Sequence, residues 1–168
     1  MALPRKLKLM NNFVDGVGYA GQINEMTLPK LAIKAEAYRA GGMIGEVDVD
    51  LGLEKLEVEI KAGGYMTELI KQFGGSINSV PFRFMGAYQK DDTDETDAIE
   101  VVMRGRFTEI DGSNSKVGDD TEHNFKASLT YYKLVMNGEE IVEVDMLNSI
   151  YRVAGQDRMA AARAAVGL

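Results

Sequence analysis

Cysteine is absent from the 168 residues, and histidine occurs only once, at position 123. The chain therefore forms no disulfide, thiolate metal site or thiol nucleophile, and it offers one imidazole for acid–base chemistry. No apolar run approaches the roughly 20 residues of a membrane-spanning helix, and the basic start lacks the apolar segment of a signal peptide. The length fits one globular domain, which we expect to stay in the compartment where it is made.

The net charge of −7 is unevenly distributed along the chain. Residues 1–84 carry ten basic and ten acidic residues, whereas residues 85–168 carry nine basic and sixteen acidic residues. Tight nucleic-acid binding depends on Lys and Arg neutralising phosphates, so an acidic chain is a poor candidate for it. Such a chain could still line a passage to which DNA must not adhere.

Alternation of apolar and polar residues with period 2 dominates the sequence and predicts antiparallel strands, each with one core face. Asn137-Gly138 and Asp15-Gly16, each between two such runs, predict tight hairpins. The apolar members of the alternating runs are Leu31, Ile33, Ala35 and Ala37; Val47, Val49, Leu51 and Leu53; Leu56, Val58 and Ile60; Phe82 and Phe84; Val101, Met103 and Phe107; Phe125, Ala127, Leu129 and Tyr131; and Val142, Val144 and Met146.

Two segments have helical patterns. An apolar stripe from Met66 to Phe73, at intervals of three and four residues before Gly74, predicts a short packed helix. The alanine-rich segment 156–166 predicts a C-terminal helix that ends at Gly167. We therefore expect a mainly β domain, with antiparallel sheets and one or two packed helices.

Motifs that carry chemistry are weak. Residues 16–21 match G-x-G-x-x-G, but no helix follows to face a pyrophosphate, so the Asp15-Gly16 hairpin explains them better. The acidic run 92–97 lacks the glycine and glutamate of an EF-hand loop and indicates a solvated turn. His123, beside Glu122, is interpreted as a surface residue. We predict no catalytic residues, no metal site and no cofactor.

Two segments are unusually apolar for their surroundings. Residues 1–10 combine leucines with Arg5, Lys6 and Lys8, and they show no alternation that would place them in the core. The glycine-rich loop 40–45 carries Met43 and Ile44 at its tip. Because exposed apolar tips normally require a partner, we interpret both segments as intermolecular contacts.

Several sequence blocks, in order and over almost the whole length, resemble the major tail tube protein of contractile-tailed phages and R-type bacteriocins. The resemblance weakens between Ser76 and Asn124, where the acidic loops lie. The blocks are Thr27-Leu28-Pro29-Lys30-Leu31-Ala32, Tyr38-Arg39-Ala40-Gly41-Gly42-Met43, Leu51-Gly52-Leu53-Glu54, Tyr131-Tyr132-Lys133-Leu134, Asn137-Gly138, Glu143-Val144-Asp145 and Gly167-Leu168.

The resemblance implies a single tail-tube domain, residues 1–168, of two packed antiparallel sheets and a flanking helix. It also implies a six-subunit ring whose inner sheets form one closed barrel, with rings stacked into a hollow tube inside a contractile sheath. The implied partners are further copies of the chain and the sheath, baseplate and tape-measure proteins, with DNA passing through the lumen unbound. The implied location is the tail of a virion or tail-like particle, assembled in the bacterial cytoplasm, and no enzymatic activity is implied.

Within this framework we expect three functional surfaces. The N-terminal arm 1–10 and the stacking loop and hairpin 40–53 are the predicted contacts between subunits or rings. A strand face near neutral charge is the predicted lumen lining, and the acidic loop is predicted to face the sheath. The residues are Leu3, Arg5, Leu7, Tyr38, Arg39, Gly41, Gly42, Met43, Ile44 and Gly45 for ring stacking; Lys55, Glu57, Glu59 and Lys61 for the lumen; and Asp91, Asp92, Asp94, Glu95 and Asp97 for the sheath.

Two other functions remain open from the sequence. A type VI secretion tube protein shares the implied fold, although no matching run of motifs is present. A small-ligand β-barrel carrier would enclose a cavity and stay monomeric. The oligomeric state distinguishes the carrier from either tube protein.

Overall fold

The computed structural model describes residues 3–168, so Met1 and Ala2 lie outside the described residues. The chain is built mainly of antiparallel strands with two short helices. The strands are β1 (Lys6–Val14), β2 (Val17–Gly18), β3 (Ile23–Thr27), β4 (Ile33–Tyr38), β5 (Val47–Leu53), β6 (Leu56–Ala62), β7 (Val80–Gln89), β8 (Thr96–Asp111), β9 (His123–Met136), β10 (Glu139–Asp145), β11 (Ile150–Val153) and β12 (Gln156–Asp157), and the helices are α1 (Thr67–Ile70) and α2 (Ala160–Val166).

The two long strands β8 and β9 run through both layers of the domain. On the side of β9 away from β8, residues 123–129 pair with β6 and residues 131–136 pair with β10. The four-stranded layer therefore has the order β3, β6, first half of β9, second half of β8. The eight-stranded layer has the order β2, β1, β7, β8, β9, β10, β11, β12. The predicted antiparallel layers are thus parts of one continuous sheet.

The change of layer coincides with a bulge at Thr130. Arg104 of β8 lies opposite Tyr131, and the next residue, Gly105, lies opposite Leu129, so Thr130 is an extra residue. The bulge reverses the alternation. Leu129 and Tyr132 are buried, whereas Tyr131 is half-exposed, so the predicted inward position of Tyr131 is wrong. A Cβ at Gly105 would collide with the Ser128 carbonyl oxygen, so this crossing requires a glycine.

The core lies between the two layers. Phe107 packs edge-on against Phe82 at 5.2 Å between ring centroids and against Phe125 at 5.9 Å. The inward residues of β6 are fully buried, as the alternation predicts. His123 is only 2% exposed and its ring lies 4.2 Å from that of Tyr65. The surface interpretation of His123 is therefore wrong, because this residue begins the inward-facing series of β9.

Both tight hairpins are confirmed. Asp15-Gly16 joins β1 to β2, and Asn137-Gly138 joins β9 to β10. All four residues have positive φ, between 49° and 81°, as type I′ turns require.

The N-terminal arm differs from its prediction. Residues 6–10 belong to β1 and pair with β7, so the expectation that residues 1–10 have no place in the domain is wrong for them. The register shifts between Leu7 and Leu9, and the segment lacks the usual alternation. This bulge is the physical reason that period-2 analysis did not detect the strand.

Both helices are shorter than predicted. Helix α1 covers only Thr67–Ile70, and Phe73, assigned to its apolar stripe, is exposed. Helix α2 begins at Ala160 and not at Gln156, because Gln156 and Asp157 pair with β11. No residue of α2 is buried.

Helix α2 is attached to the domain through Arg163. Its guanidinium pairs with Asp157 and donates a 2.8 Å hydrogen bond to the Ser149 carbonyl oxygen. The Met159 N–H also donates to Asp157, at 3.0 Å. The hydrogen bond from Arg163, supported by that from Met159, lowers the pKa of Asp157 from 3.8 to about 2.

We expect this attachment of α2 to weaken in acid. A lowered folded-state pKa stabilises the fold above the unfolded-state value, and the stabilisation is lost as Asp157 is protonated. In the dilute subunit, amide NMR shifts of residues 160–166 should therefore change between pH 3.8 and about 2. Asp157→Asn should show the acid-form shifts at all pH values. A transition that persists unchanged in this variant would contradict the assignment.

Candidate assembly surfaces

The hairpin of β4 and β5 projects from the two layers as a separate two-stranded sheet. Every residue of β4 is exposed, and in β5 only Leu53 is half-buried. The buried face predicted for each of these strands is therefore absent. Alternation shows which side chains share a face, and it does not show that the face is covered. Since isolated hairpins are marginally stable in water, this one requires a covering surface.

The register of the hairpin places its two apolar stripes on opposite faces. Val49 lies opposite Glu36, and Val47 lies opposite Tyr38, so the valines share a face with Tyr38. Ala35 and Ala37 lie opposite Asp50 and Asp48, so the alanines share the other face with two carboxylates. Each face therefore combines apolar and charged side chains, and both are available for contacts.

The hairpin tip is a defined turn that presents Ile44. The N–H of Ala40 donates to the Met43 sulfur, and the N–H of Met43 donates to the Ala40 carbonyl oxygen, both at 3.2 Å. Gly42 has φ +90°, which favours glycine. Met43 is half-buried within the turn, whereas Ile44 is fully exposed. The tip is thus organised before any partner binds.

The N-terminal arm lies beside the acidic loop of residues 91–97, here called the acidic turn. Arg5 pairs with Glu95 at 3.6 Å and also with Asp97, and Lys8 pairs with Asp91 at 2.6 Å. The arm residues that the sequence assigned to ring stacking thus contact acids that it assigned to the sheath. Asp92 makes no ion pair with the described residues, and its carboxylate accepts a hydrogen bond from the Leu3 N–H at 3.3 Å.

The strand face predicted to line the lumen carries cross-strand ion pairs. Lys55 pairs with Glu57 at 2.6 Å, and Lys126 of β9 approaches the same carboxylate at 3.6 Å. Lys61 pairs with Glu25 of β3 at 3.2 Å. The hydrogen bond from Lys55, with the charge of Lys126, lowers the pKa of Glu57. The hydrogen bond to Glu25 likewise raises the pKa of Lys61.

These pairs belong to one polar face of the four-stranded layer. Register places Glu59 opposite Lys126, which lies opposite Glu109 of β8. The face therefore carries five acids and four bases and is close to neutral. Its charged residues are Glu25, Glu57, Glu59, Glu109 and Asp111 with Lys55, Lys61, Lys126 and Arg106.

The four-stranded layer has two free edges. Strand β3 pairs only with β6, and residues 106–111 of β8 pair only with β9, within the described residues. Their unpaired backbone groups are available to strands of another chain. All neighbours in the layer are antiparallel, so its two edge strands run in opposite directions.

Some members of these surfaces are not evident from local sequence patterns. The ion-pair partners Glu25 and Lys126 and the edge 106–111 lie far in sequence from the predicted lumen residues, and only strand register brings them together. The alternation of β9 contained a partial signal, since it placed Lys126 on a polar face. Nothing in local patterning indicated which strands form the edges.

No arrangement for catalysis or metal binding is evident in the described part of the chain. Within residues 3–168, no three His, Asp or Glu side chains are grouped to hold a metal ion. His123 is buried against Tyr65, and its Nε2 atom has no hydrogen-bond partner among these residues. None of the helices in this range is long and apolar enough to cross a membrane.

Solved structures with the same fold occur in contractile injection systems. A chain in the PVC sheath/tube terminator, from an extracellular contractile injection system, superposes with a TM-score of 0.59 at 11% identity. The alignment covers 80% of this chain and 96% of that one. A chain of the PVC sheath-tube complex gives a TM-score of 0.55 at 11% identity, covering 76% and 86% of the two chains. The fold is therefore one that such particles use.

Sequence relatives give the family. The Phage tail tube protein FII profile matches residues 4–167. The tail tube protein of Escherichia phage P2 is 48% identical over the full length of both chains, and the major tail tube protein of Serratia phage KSP20 is 43% identical over 94% and 92% of the two. The chain belongs to the phage tail tube protein FII family. It is a structural protein of a phage tail or tail-like particle and not an enzyme.

Proposed function

We propose that six copies close into a ring through the free edges of the four-stranded layer. The observation that carries the proposal is the antiparallel direction of these edges: β3 of one subunit can extend the sheet beyond residues 106–111 of the next. Six such layers make a closed barrel of roughly 24 strands, which is wide enough for an aqueous channel. Closure also removes the exposed edges.

The polar face of the four-stranded layer lines the channel in this arrangement. The other face of this layer is covered by the core and the eight-stranded layer. When the four-stranded layers form the barrel, the polar face therefore points to the axis and the eight-stranded layer forms the outer wall. The lumen would then carry Lys55, Glu57, Glu59 and Lys61, each beside a side chain of opposite charge. A near-neutral, internally paired lining offers DNA phosphates few free cations.

The projecting hairpin and the arm supply contacts between stacked rings. The hairpin has two uncovered faces and an apolar tip, whereas Leu3, Leu7 and Leu9 of the arm are exposed on the domain surface. A ring that closes through one interface needs a second adhesive surface to stack. These segments are the candidates for that surface.

The proposed tube belongs to a contractile tail and is driven through the target envelope when the sheath contracts. Its partners are the sheath, baseplate and tape-measure proteins, and DNA passes through without tight binding. The shared fold with a chain of the PVC sheath-tube complex supports the sheath as a partner class. The family assignment favours this function over that of a type VI tube protein or a monomeric ligand carrier.

The acidic turn is proposed to face the sheath, and neutralising it tests this role. Three acids of the turn are already ion-paired: Asp91 with Lys8, Glu95 with Lys90 and Asp97 with Arg5. The unpaired acidic charge is therefore concentrated on Asp92 and Asp94. Asp92→Asn/Asp94→Asn should leave tubes intact but weaken co-assembly with the sheath protein. Exposed ion pairs are each worth about 0.2–1 kcal/mol and are screened by salt, so the defect should be largest at low salt and shrink as the salt concentration rises.

The control for the sheath experiment changes Asp119 and Asp120 to Asn, which alters charge equally in a different loop. Sheath assembly should be measured by electron microscopy of tubes mixed with sheath protein. If the Asp92/Asp94 variant acquires sheath as the unaltered protein does at all salt concentrations, another surface carries the sheath contact.

The oligomeric state tests the proposed function as a whole. Light scattering after size exclusion should detect a ring or larger polymer, and negative-stain microscopy of concentrated protein should show hollow tubes. A protein that remains monomeric at all concentrations would contradict the proposal and would favour the carrier.

A further inference from the structure

A mostly apolar cleft of about 500 Å³ separates the base of the hairpin from the body of the domain. One wall is the end of β5, and the other is formed by β10, β11 and the start of the C-terminal segment. Asp50 and Asp145 add carboxylates to the lining. The apolar lining residues are Leu51, Leu53, Val144, Met146, Ile150, Tyr151 and Met159.

The hairpin tip has the complementary chemistry. Ile44 is fully exposed. Arg39, which directly follows β4, is also exposed and makes no ion pair with the described residues. The cleft has exposed Asp50, whose Oδ1 accepts from the Gly52 N–H at 2.7 Å and leaves Oδ2 available. Asp145 is committed to the N–H groups of Leu147 and Asn148. The exposed Ile44 side chain and the available Arg39 guanidinium therefore match an apolar cleft with an available carboxylate.

The tip cannot fill the cleft of its own chain. Strand β4 has six residues, so at about 3.3 Å per residue the paired part of the hairpin alone separates tip and base by roughly 17–20 Å. The tip of one subunit can therefore occupy only the cleft of another. Such a contact is heterologous, because it joins two different patches of the subunit. When heterologous contacts do not close into a ring, they add subunits without limit.

Together these observations favour a second copy of this chain as the occupant of the cleft. We infer that the tip around Ile44 inserts into the β5–β10–β11 cleft of a subunit in the next ring, with Arg39 beside Asp50. The inference rests on the proposed stacking of rings and adds the receptor surface. Each subunit then carries one tip and one cleft, which gives the tube a head-to-tail polarity.

Cross-linking tests the contact directly, because the natural chain has no cysteine. Gly41→Cys places a thiol on the tip without altering Ile44, and an added side chain there meets open space. Met159→Cys places the second thiol in the cleft. Treatment of assembled tubes with a short bis-maleimide should give covalent chains of more than six subunits on a denaturing gel. The control pair, Gly41→Cys with Val117→Cys, uses a fully exposed loop position outside the cleft and should not give such chains.

The outcomes separate the inference from the proposed function. Normal tubes without the long covalent chains overturn the inference and leave the tube function unaffected. A ladder that ends at six subunits has the same consequence, because it would place the contact within one ring. Failure of the unaltered chain to form tubes contradicts the proposed function itself.

In a second test, Arg39→Asp and Asp50→Arg should each raise the critical concentration for assembly at least tenfold, and their combination should restore it. If the combination is no better than the single variants, the pairing is wrong.

Discussion

Replacing Ile44 by serine is expected to leave a folded subunit that polymerises poorly. Ile44 is fully exposed and, with half-buried Met43, forms the apolar tip of the projecting hairpin. Burying two such side chains contributes roughly 3–6 kcal/mol before ordering costs. Loss of the Ile44 share alone corresponds to a rise of roughly ten- to a hundredfold in the critical concentration, since 1.4 kcal/mol is a factor of ten. The double variant Met43→Ser/Ile44→Ser should be affected more strongly.

The critical concentration can be measured by sedimentation of tubes over a protein dilution series. Val117→Ser is the matched control, because Val117 is equally exposed in a loop without an assigned contact. Met43 also stabilises the turn through its sulfur, so Ile44→Ser separates docking from turn stability. Tubes of Ile44→Ser that form at the unaltered concentration would show that the tip makes no stabilising contact.

Removing the carboxylates that pair with the lysines proposed to line the lumen is expected to make tubes retain DNA. Glu25→Gln/Glu57→Gln leaves Lys55, Lys61 and Lys126 without their present partners. Six subunits would then present many free cations to the phosphates, and affinity built on such contacts falls steeply with salt. Tubes assembled with short duplex DNA should retain it at low salt, protected from nuclease, and release it as salt rises.

A control with the same change in charge is available for the DNA experiment. Glu68→Gln/Asp119→Asn frees Lys71 and Lys116, which lie off the polar face of the four-stranded layer. It should bind no nuclease-protected DNA. Equal retention by the two variants would show that this strand face does not line the channel.

Much of the fold follows from local pattern. The buried series of β6 and the two positive-φ hairpins agree with the sequence because alternation and Asn-Gly or Asp-Gly turns act over a few residues. The grouping of Lys55, Glu57, Glu59 and Lys61 on one face is likewise a consequence of alternation. That this face is near neutral could also be predicted, whereas its pairing with Glu25 and Lys126 depends on strand order.

The differences arise where distant contacts outweigh local pattern. The alternation of β4 and β5 suggested burial, but these strands have only each other as partners. The bulge at Thr130 reversed the facing of Tyr131, and the bulge in β1 concealed a strand in the arm. Gln156 and Asp157 joined β11 in place of the helix. In each case the deciding contact lies outside the local segment.

Hydrogen exchange of assembled tubes against dilute subunits is the most direct test of closure through sheet edges. The proposed ring predicts that the outward-pointing amides of β3 and of residues 106–111 become protected together on assembly, because they pair across the subunit interface. The corresponding amides in the centre of β9, already paired on both sides, should change little. Tubes in which both edges exchange as they do in the subunit would contradict the account.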